Sequence, residues 1–285
     1  MPLAADPADK ASERYPPEHK ETKELIALVE DAGKLIAERG VHDACAHFRQ
    51  EDSRWLEGDF YVFIFDLQGN TLCHPTQPQL EGRTLLDLRD PNGKPIVRNI
   101  LREIEGGDED GWVHYQWPRP GGSTFFWKTS YVRRAKAPDG KFYVVGSGLY
   151  QMKTERFFVV EQVDDAVDLL ETLGEIAFAT LRDKSSGYRF YDSYLFVMDQ
   201  AGVQHVNAGF PENEGQNLLD LKDPTGKVIG REMLALLEHQ ENGWVDYLWP
   251  RPGDTRPIQK STYVRKVVVD DRTMVVGAGM YLGEP

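Results

Sequence analysis

Two lysines stand inside stretches that otherwise read as aromatic, β-branched strands: Lys128 in "FFWKTSYVRR" and Lys260 in "IQKSTYVRK". A mid-strand lysine points either to solvent or into a core. If it points inward its ammonium needs a partner, because a buried unpaired charge is costly. The carboxylate of a small anionic ligand would serve. Tyr115, Tyr131 and Tyr150 supply phenolic hydroxyls near the first lysine, and Trp117 a flat apolar wall. Tyr247, Tyr263, Tyr281 and Trp249 repeat that set around the second. His74 adds an imidazole to the first set where the second has Asn207, an exchange that alters polarity more than shape. Aromatic walls with a few polar groups are the usual make-up of a small-molecule pocket.

Strand alternation sorts these residues by face. In "GWVHYQWPRPG" Val113, Tyr115 and Trp117 share one face, and "GWVDYLWPRPG" keeps Val245, Tyr247 and Trp249 unchanged. The opposite face exchanges His114 for Asp246 and Gln116 for Leu248. The face kept entire is expected to line a pocket beneath the loop at Pro75–Asp90. A later strand places Val144, Gly146, Gly148 and Tyr150 together, matched by Val275, Gly277, Gly279 and Tyr281. Interior strand glycines mark close approach of a ligand or another backbone. They are expected either to leave a hollow beside the tyrosine or to receive the short helix described below.

The elements that must position these groups occur twice. "DFYVFIFDLQGNTL" answers to "DSYLFVMDQAGVQH", "EGRTLLDLRDPNGKPIVRNIL" to "EGQNLLDLKDPTGKVIGREML", and "VVGSGLY" to "VVGAGMY". This is a domain duplicated in tandem. The spacing predicts domains at 20–152 and 155–285, divided near Gln151–Arg156. Each opens on a long helix: Leu25, Leu28, Val29, Ala32, Leu35 and Ile36 form one stripe, and Val163, Ala166, Val167, Leu170, Leu173 and Ile176 another. Such a stripe packs on its own domain or on a second copy of the chain as a homodimer. Strands follow at Phe60–Phe65 and Tyr194–Met198, then Asp-Pro-x-Gly turns at Asp90 and Asp223, a short helix through Ile96, Ile100 and Ile104, and three further strands, Trp112–Trp117, Phe126–Arg133 and Phe142–Tyr150. The order predicts an α+β fold, each domain a long helix with a roughly five-stranded antiparallel sheet.

Composition excludes several classes. With 46 acidic against 33 basic residues the net charge is −13, which disfavours nucleic acid and anionic lipid. No stretch approaches the ~20 apolar residues of a membrane helix. The first twenty residues lack the apolar core of a leader, so the chain reads either as cytoplasmic or as a mature form whose leader has been removed. No nucleophile elbow, metalloprotease helix or phosphate loop is present, so no enzyme, metal or cofactor is expected. Cys45 and Cys73 have no metal spacing; two buried thiols are favoured over a disulfide.

The phrases "FIFDLQGNTLCHP", "EGRTLLDLRDPNGKPIV", "GWVHYQWPRPG", "KTSYV" and "VVGSGLY", in that order, resemble the single Cache domain of type 2, a PAS-like sensor module found mainly outside the bacterial inner membrane. The second copy matches through "GWVDYLWPRPG", "KSTYV" and "VVGAGMY". The resemblance implies a non-catalytic, periplasmic domain pair that binds a small metabolite, often a short organic acid, and serves signal transduction such as chemotaxis through a membrane-bound receptor or kinase. Carried over by position, it implies ligand contacts at His74, Tyr115, Trp117, Lys128, Tyr131 and Tyr150, and at Asn207, Tyr247, Trp249, Lys260, Tyr263 and Tyr281. The second copy departs from the pattern at Asn207-Ala208, where the first has His74-Pro75. The alternatives are a structural or dimerising module with vestigial pockets, and a cytoplasmic PAS-like pair holding haem or flavin.

Overall fold

A computed structural model describes residues 10–105 and 109–283. Residues 1–9, on which the reading of a removed leader rests, lie outside them. The chain divides into two compact units. One is Glu18–Lys153; the other begins at Thr154 and also takes in the segment ending at Pro17 that precedes the first.

The first unit is built on α2 (Lys20–Phe48), which buries Leu25, Leu28, Val29, Ala32 and Ile36 against the sheet. The helix is not continuous, as the stripe suggested. It breaks at Gly40, whose φ of 79° and ψ of 168° lie outside helical space. A glycine takes that conformation at no Cβ cost, and the chain bends there. The second unit repeats the device. Its α4 (Arg156–Leu173) ends at Gly174, φ 60°, and a short 3-10 turn leads into α5 (Ala177–Arg182). The break cuts the second stripe short: Val163, Ala166, Val167 and Leu170 are buried, whereas Leu173 and Ile176 are exposed.

Each unit carries an antiparallel sheet of the expected size. In the first, β3 (Phe63–Asp66), β4 (Thr71–Cys73), β5 (Asp110–Pro118), β6 (Phe125–Lys136) and β7 (Phe142–Tyr150) pair in the order β4-β3-β7-β6-β5. The predicted strand at Phe60 is split, its first residues forming a hairpin of β1 (Leu56–Glu57) with β2 (Phe60–Tyr61). In the second unit β9 (Ser193–Asp199), β10 (Gln204–Asn207), β11 (Asn242–Pro250), β12 (Pro257–Val269) and β13 (Arg272–Tyr281) repeat the order, and a short β8 (Arg189–Phe190) is added beside β9.

Register assigns the faces. Tyr115, Lys128 and Tyr150 lie in one cross-strand row, Val113, Ser130 and Gly148 in the next. This face is covered by α3 (Ile96–Arg102) and the loop before it, and its apolar core includes Phe63, Phe65, Ile100, Val113 and Tyr115. The other face receives α2. The loop is fixed to the outer edge of the sheet. Asp90 accepts hydrogen bonds from the backbone N–H of Asn92 and Lys94 on one oxygen and from that of Gln116 on the other. Lys94 Nζ donates to the carbonyl of His114 at 3.2 Å. Asp223 and Lys227 do the same to Leu248 and Asp246 of β11. An edge strand presents unpaired backbone groups, and this repeated clasp satisfies some of them.

The cysteines are paired, contrary to the expectation of free thiols. Cys45, near the end of α2, and Cys73, on β4, have Cα atoms 5.8 Å apart and form a disulfide. That separation suits a bridge. Contact between the helix end and β4, the far strand of the sheet, created it, and this contact is not written in the local sequence.

Candidate functional site

On the α3 side of the first sheet is a small cavity, about 20 Å³. It has room for little more than one water molecule without rearrangement. Tyr61, Phe63, His74, Tyr115 and Trp117 wall it on the sheet side, with Leu85, Leu88, Ile96, Val97 and Ile100 from the loop and helix above. The His74 ring lies 5.0 Å from the Tyr61 ring and 6.1 Å from Trp117. Its backbone N–H donates to Glu81 at 2.8 Å, and Glu81 pairs with Arg49 at the end of α2. Burial, then the nearby Lys128 charge, pushes the His74 imidazole down to about 3, so it is neutral.

Lys128 points inward. It is wholly buried, and its Nζ sits over the Tyr61 ring, 3.7 Å from the centroid, with the Tyr150 ring at 5.1 Å. Nζ has no hydrogen-bond partner among the described residues. Burial drives its pKa well below the ordinary lysine value, opposed only by Asp59. Around it the hydroxyls are committed: Tyr115 is bonded to Ser130 at 2.9 Å, and Tyr150 donates to the carbonyl of Pro118 at 2.7 Å.

The second unit builds the same site. A cavity of about 20 Å³ is walled by Tyr194, Phe196, Gln204, Asn207, Tyr247 and Trp249, under Leu218, Leu221, Ile229 and Met233. Lys260, also wholly buried, holds its Nζ 3.9 Å from the Tyr194 ring centroid and 5.0 Å from that of Tyr281, again with no hydrogen-bond partner among the described residues. Burial brings it down to about 7, against the pull of Asp192. Tyr281 donates to Pro250, as Tyr150 does to Pro118.

The residues singled out from sequence thus fall in three places. His74, Tyr115 and Trp117, with Asn207, Tyr247 and Trp249, line the two cavities. Lys128, Tyr150, Lys260 and Tyr281 lie on the same sheet faces, one side chain removed from the free space, each lysine resting on a wall tyrosine. Tyr131 and Tyr263 are on the opposite faces. Tyr131 stacks on Trp112 at 4.8 Å and feels Asp110 and, from α2, Glu30; Tyr263 stacks on Trp244 at 5.3 Å and feels Asp164 of α4. Three positions separate each from its lysine, an odd number that puts the two on opposite sides of a strand.

The glycines leave no hollow, nor do they seat the short helix. A Cβ on Gly146 would lie 2.6 Å from the Phe63 ring, and one on Gly148 would meet Ser130 Oγ at 2.4 Å and Lys128 Cε at 2.7 Å. Gly148 is what lets the lysine stem lie flat across β7. Tyr61 and Tyr194, which carry the lysines, escaped the sequence reading, although "FYVFIFD" and "SYLFVMD" hold a tyrosine at the same place in both copies.

Over 94 residues, a third of its length (33%), the chain is 29% identical to the methyl-accepting chemotaxis protein McpP of Pseudomonas putida, of which this covers 17%. It is 33% identical over 93 residues, 32% of the chain, to the sensor histidine kinase MctS of Rhizobium johnstonii, of which 19% is covered. The chain therefore spans less than a fifth of either curated relative. A solved structure described as the basis for carboxylic acid recognition by a Cache chemosensory domain is 28% identical, covering 46% of this chain and 94% of that one with a TM-score of 0.39. The family model of the Cache domain matches residues 51–174 and again residues 170–284, and the chain belongs to the Cache domain family, in two tandem copies.

Proposed function

We propose that the chain is the extracytoplasmic, ligand-binding part of a bacterial sensor, and that each unit binds one short organic acid without transforming it. One observation carries this reading: a fully buried lysine amine without a hydrogen-bond partner among the described residues, present twice at the same place. A cation on an aromatic face is only partly compensated. A carboxylate entering the adjoining cavity would complete it with a charge-assisted hydrogen bond. The cavities are small, so the loop and helix above must give way to admit a ligand, which favours the shortest acids, of two to four carbons. The catalytic alternative has no support among the cavity residues, where the one imidazole is neutral and no nucleophile–base pair is formed. The disulfide fits an oxidising compartment, hence the periplasm. No helix among the described residues is long and apolar enough to cross a membrane. The two curated relatives, a chemotaxis receptor and a sensor kinase, suggest that the output is a membrane-bound receptor or kinase.

Calorimetric titration of the chain with acetate, propionate and butyrate tests the reading. Two equivalents are expected to bind. Lys128→Met and Lys260→Met should each remove one, a loss of roughly 1.5–3 kcal/mol at that site. Full binding in both variants would place the lysines outside the ligand shell and end the proposal.

A further inference from the structure

The two cavities share aromatic walls, each with a buried lysine one side chain away, but differ in what else they leave unsatisfied. In the first, His74 Nδ1 is buried with no hydrogen-bond partner among the described residues, and the His74 side chain lines the cavity. Thr71 Oγ1, opposite cavity residue Phe65 in the β3–β4 register, is also buried and unpartnered. In the second, the equivalent groups already have partners within the protein. Asn207 Nδ2 donates to Gln204 Oε1 at 2.7 Å, and Asn207 Oδ1 accepts from the backbone N–H of Phe210 at 2.8 Å. Gln204, which stands where the first copy has Thr71, donates in turn to the carbonyl of Asn213. That turn also seats the Phe210 ring against Tyr194 at 5.5 Å and Trp249 at 5.9 Å. In the first unit the rings of Tyr61 and Trp117 are bridged instead by His74, and the residue matching Phe210 is Gln77.

A buried polar atom without a partner rewards a ligand that supplies one, and a site built to bond a substrate hydroxyl rejects the analogue that lacks it. An apolar wall does the reverse, leaving the extra hydroxyl unpaired. Lys128 Nζ and the His74 ring both pack on Tyr61, at 3.7 and 5.0 Å from its centroid. The cavity is small, so a molecule that presents both a carboxylate and a group for His74 must carry the two close together, within a carbon or two.

Resting on the carboxylate reading above, we propose that the two pockets divide the ligand class between them. The first takes carboxylates bearing a second hydrogen-bonding group beside the carboxylate, the chemistry of 2-hydroxy and 2-oxo acids. The second takes unsubstituted short aliphatic carboxylates. His74 sets the first preference; Asn207, closed by Gln204 and backed by Phe210, sets the second.

Lactate and propionate, which differ by one hydroxyl, are the probes, titrated by calorimetry into the full chain. Lys260→Met isolates the first pocket and should bind lactate about tenfold or more tighter than propionate. Lys128→Met isolates the second and should reverse the order by about tenfold. Adding His74→Asn to Lys260→Met should erase the lactate preference. The unmodified chain gives a second reading that needs no variant: under lactate concentrations that saturate only its tighter site, one equivalent of propionate should still bind. The same lactate-to-propionate ratio at both sites, or an unchanged ratio with His74→Asn, would overturn the division while leaving the carboxylate reading intact. Binding of neither acid to the folded, unmodified chain would overturn both.

Discussion

At the scale of the residue, the informative pair is Lys128 and Tyr131. Both were visible in the sequence as strand residues in an aromatic setting, but strand parity puts them on opposite faces, and only the lysine belongs to the pocket side. What parity cannot give is which side is covered by α3 and which by α2, so the inward turn of the lysine had to come from the packing. The same holds for Gly148. Composition suggested empty space, whereas the space is filled by Ser130 and the Lys128 stem. Gly148→Ala is therefore expected to cost stability, about 1–3 kcal/mol from overpacking, because one of its contacts is the Thr129 carbonyl at 2.6 Å and backbone yields poorly. A denaturant midpoint equal to that of the unmodified chain would contradict this. Lys260 gives a second expectation. Its folded pKa, about 7, lies below the unfolded value near 10.5, so between those pH values the unfolded chain holds the extra proton. Stability of the ligand-free chain should rise with pH across that window and lie flat below it. Against Lys260→Met, the gap in denaturant midpoint should close from pH 6 to pH 10, and saturating propionate should shrink the slope by favouring the charged amine.

At the scale of the element, what the sequence shows well is what repeats. The helix stripe, the order of the strands and the Asp-Pro-x-Gly turn were all legible, because duplication displayed each twice. The helix breaks were harder to see: Gly40 and Gly174 sit where an apolar period continues past them, and period alone does not reveal a positive φ. The turn proved to be more than a turn. Its aspartate reaches the outer edge strand, so the loop above the pocket is tied to the pocket wall. Asp223 is held down at about 2 chiefly by the Leu248 backbone N–H, helped by Thr225. A carboxylate depressed in the folded state stabilises the fold above its unfolded value, 3.8, and loses that contribution as pH falls towards 2. Asp223→Asn should flatten this part of the acid unfolding curve, because the amide no longer titrates. It should also raise amide hydrogen exchange at Leu248, since a neutral oxygen accepts more weakly. An acid limb identical to that of the unmodified chain would show that the clasp does not depend on its charge.

At the scale of the whole molecule, two ties cross the order of the sequence, and neither has a counterpart in the other copy. One is the disulfide, which closes a loop of 28 residues within the first unit. The other is the segment before the first helix, which packs on the second unit. There α1 (Ala11–Arg14) buries Ala11, and Arg14 pairs with Asp164 of α4, which also binds Arg265 at 2.7 Å. Tyr15 sets its ring edge-on to Trp244 and Tyr263, at 6.0 and 6.4 Å. A sequence comparison between copies is blind to both ties, since it finds what is shared. They predict opposite results in a thermal scan that resolves the two units. Reduction of the disulfide should remove roughly 3 kcal/mol from the first unit, by freeing its unfolded chain, and should leave the second where it was. Deleting residues 1–17 should do the reverse. It strips Arg14 from a part-buried Asp164 and uncovers Trp244 and Tyr263, so the second unit should melt earlier while the first is unmoved. Tyr15→Ala alone should reproduce part of that shift through lost aromatic contact, about 0.5–1.5 kcal/mol beyond the area exposed. If truncation instead lowered the melting of the unit that contains the disulfide, the assignment of this segment to the second unit would be wrong.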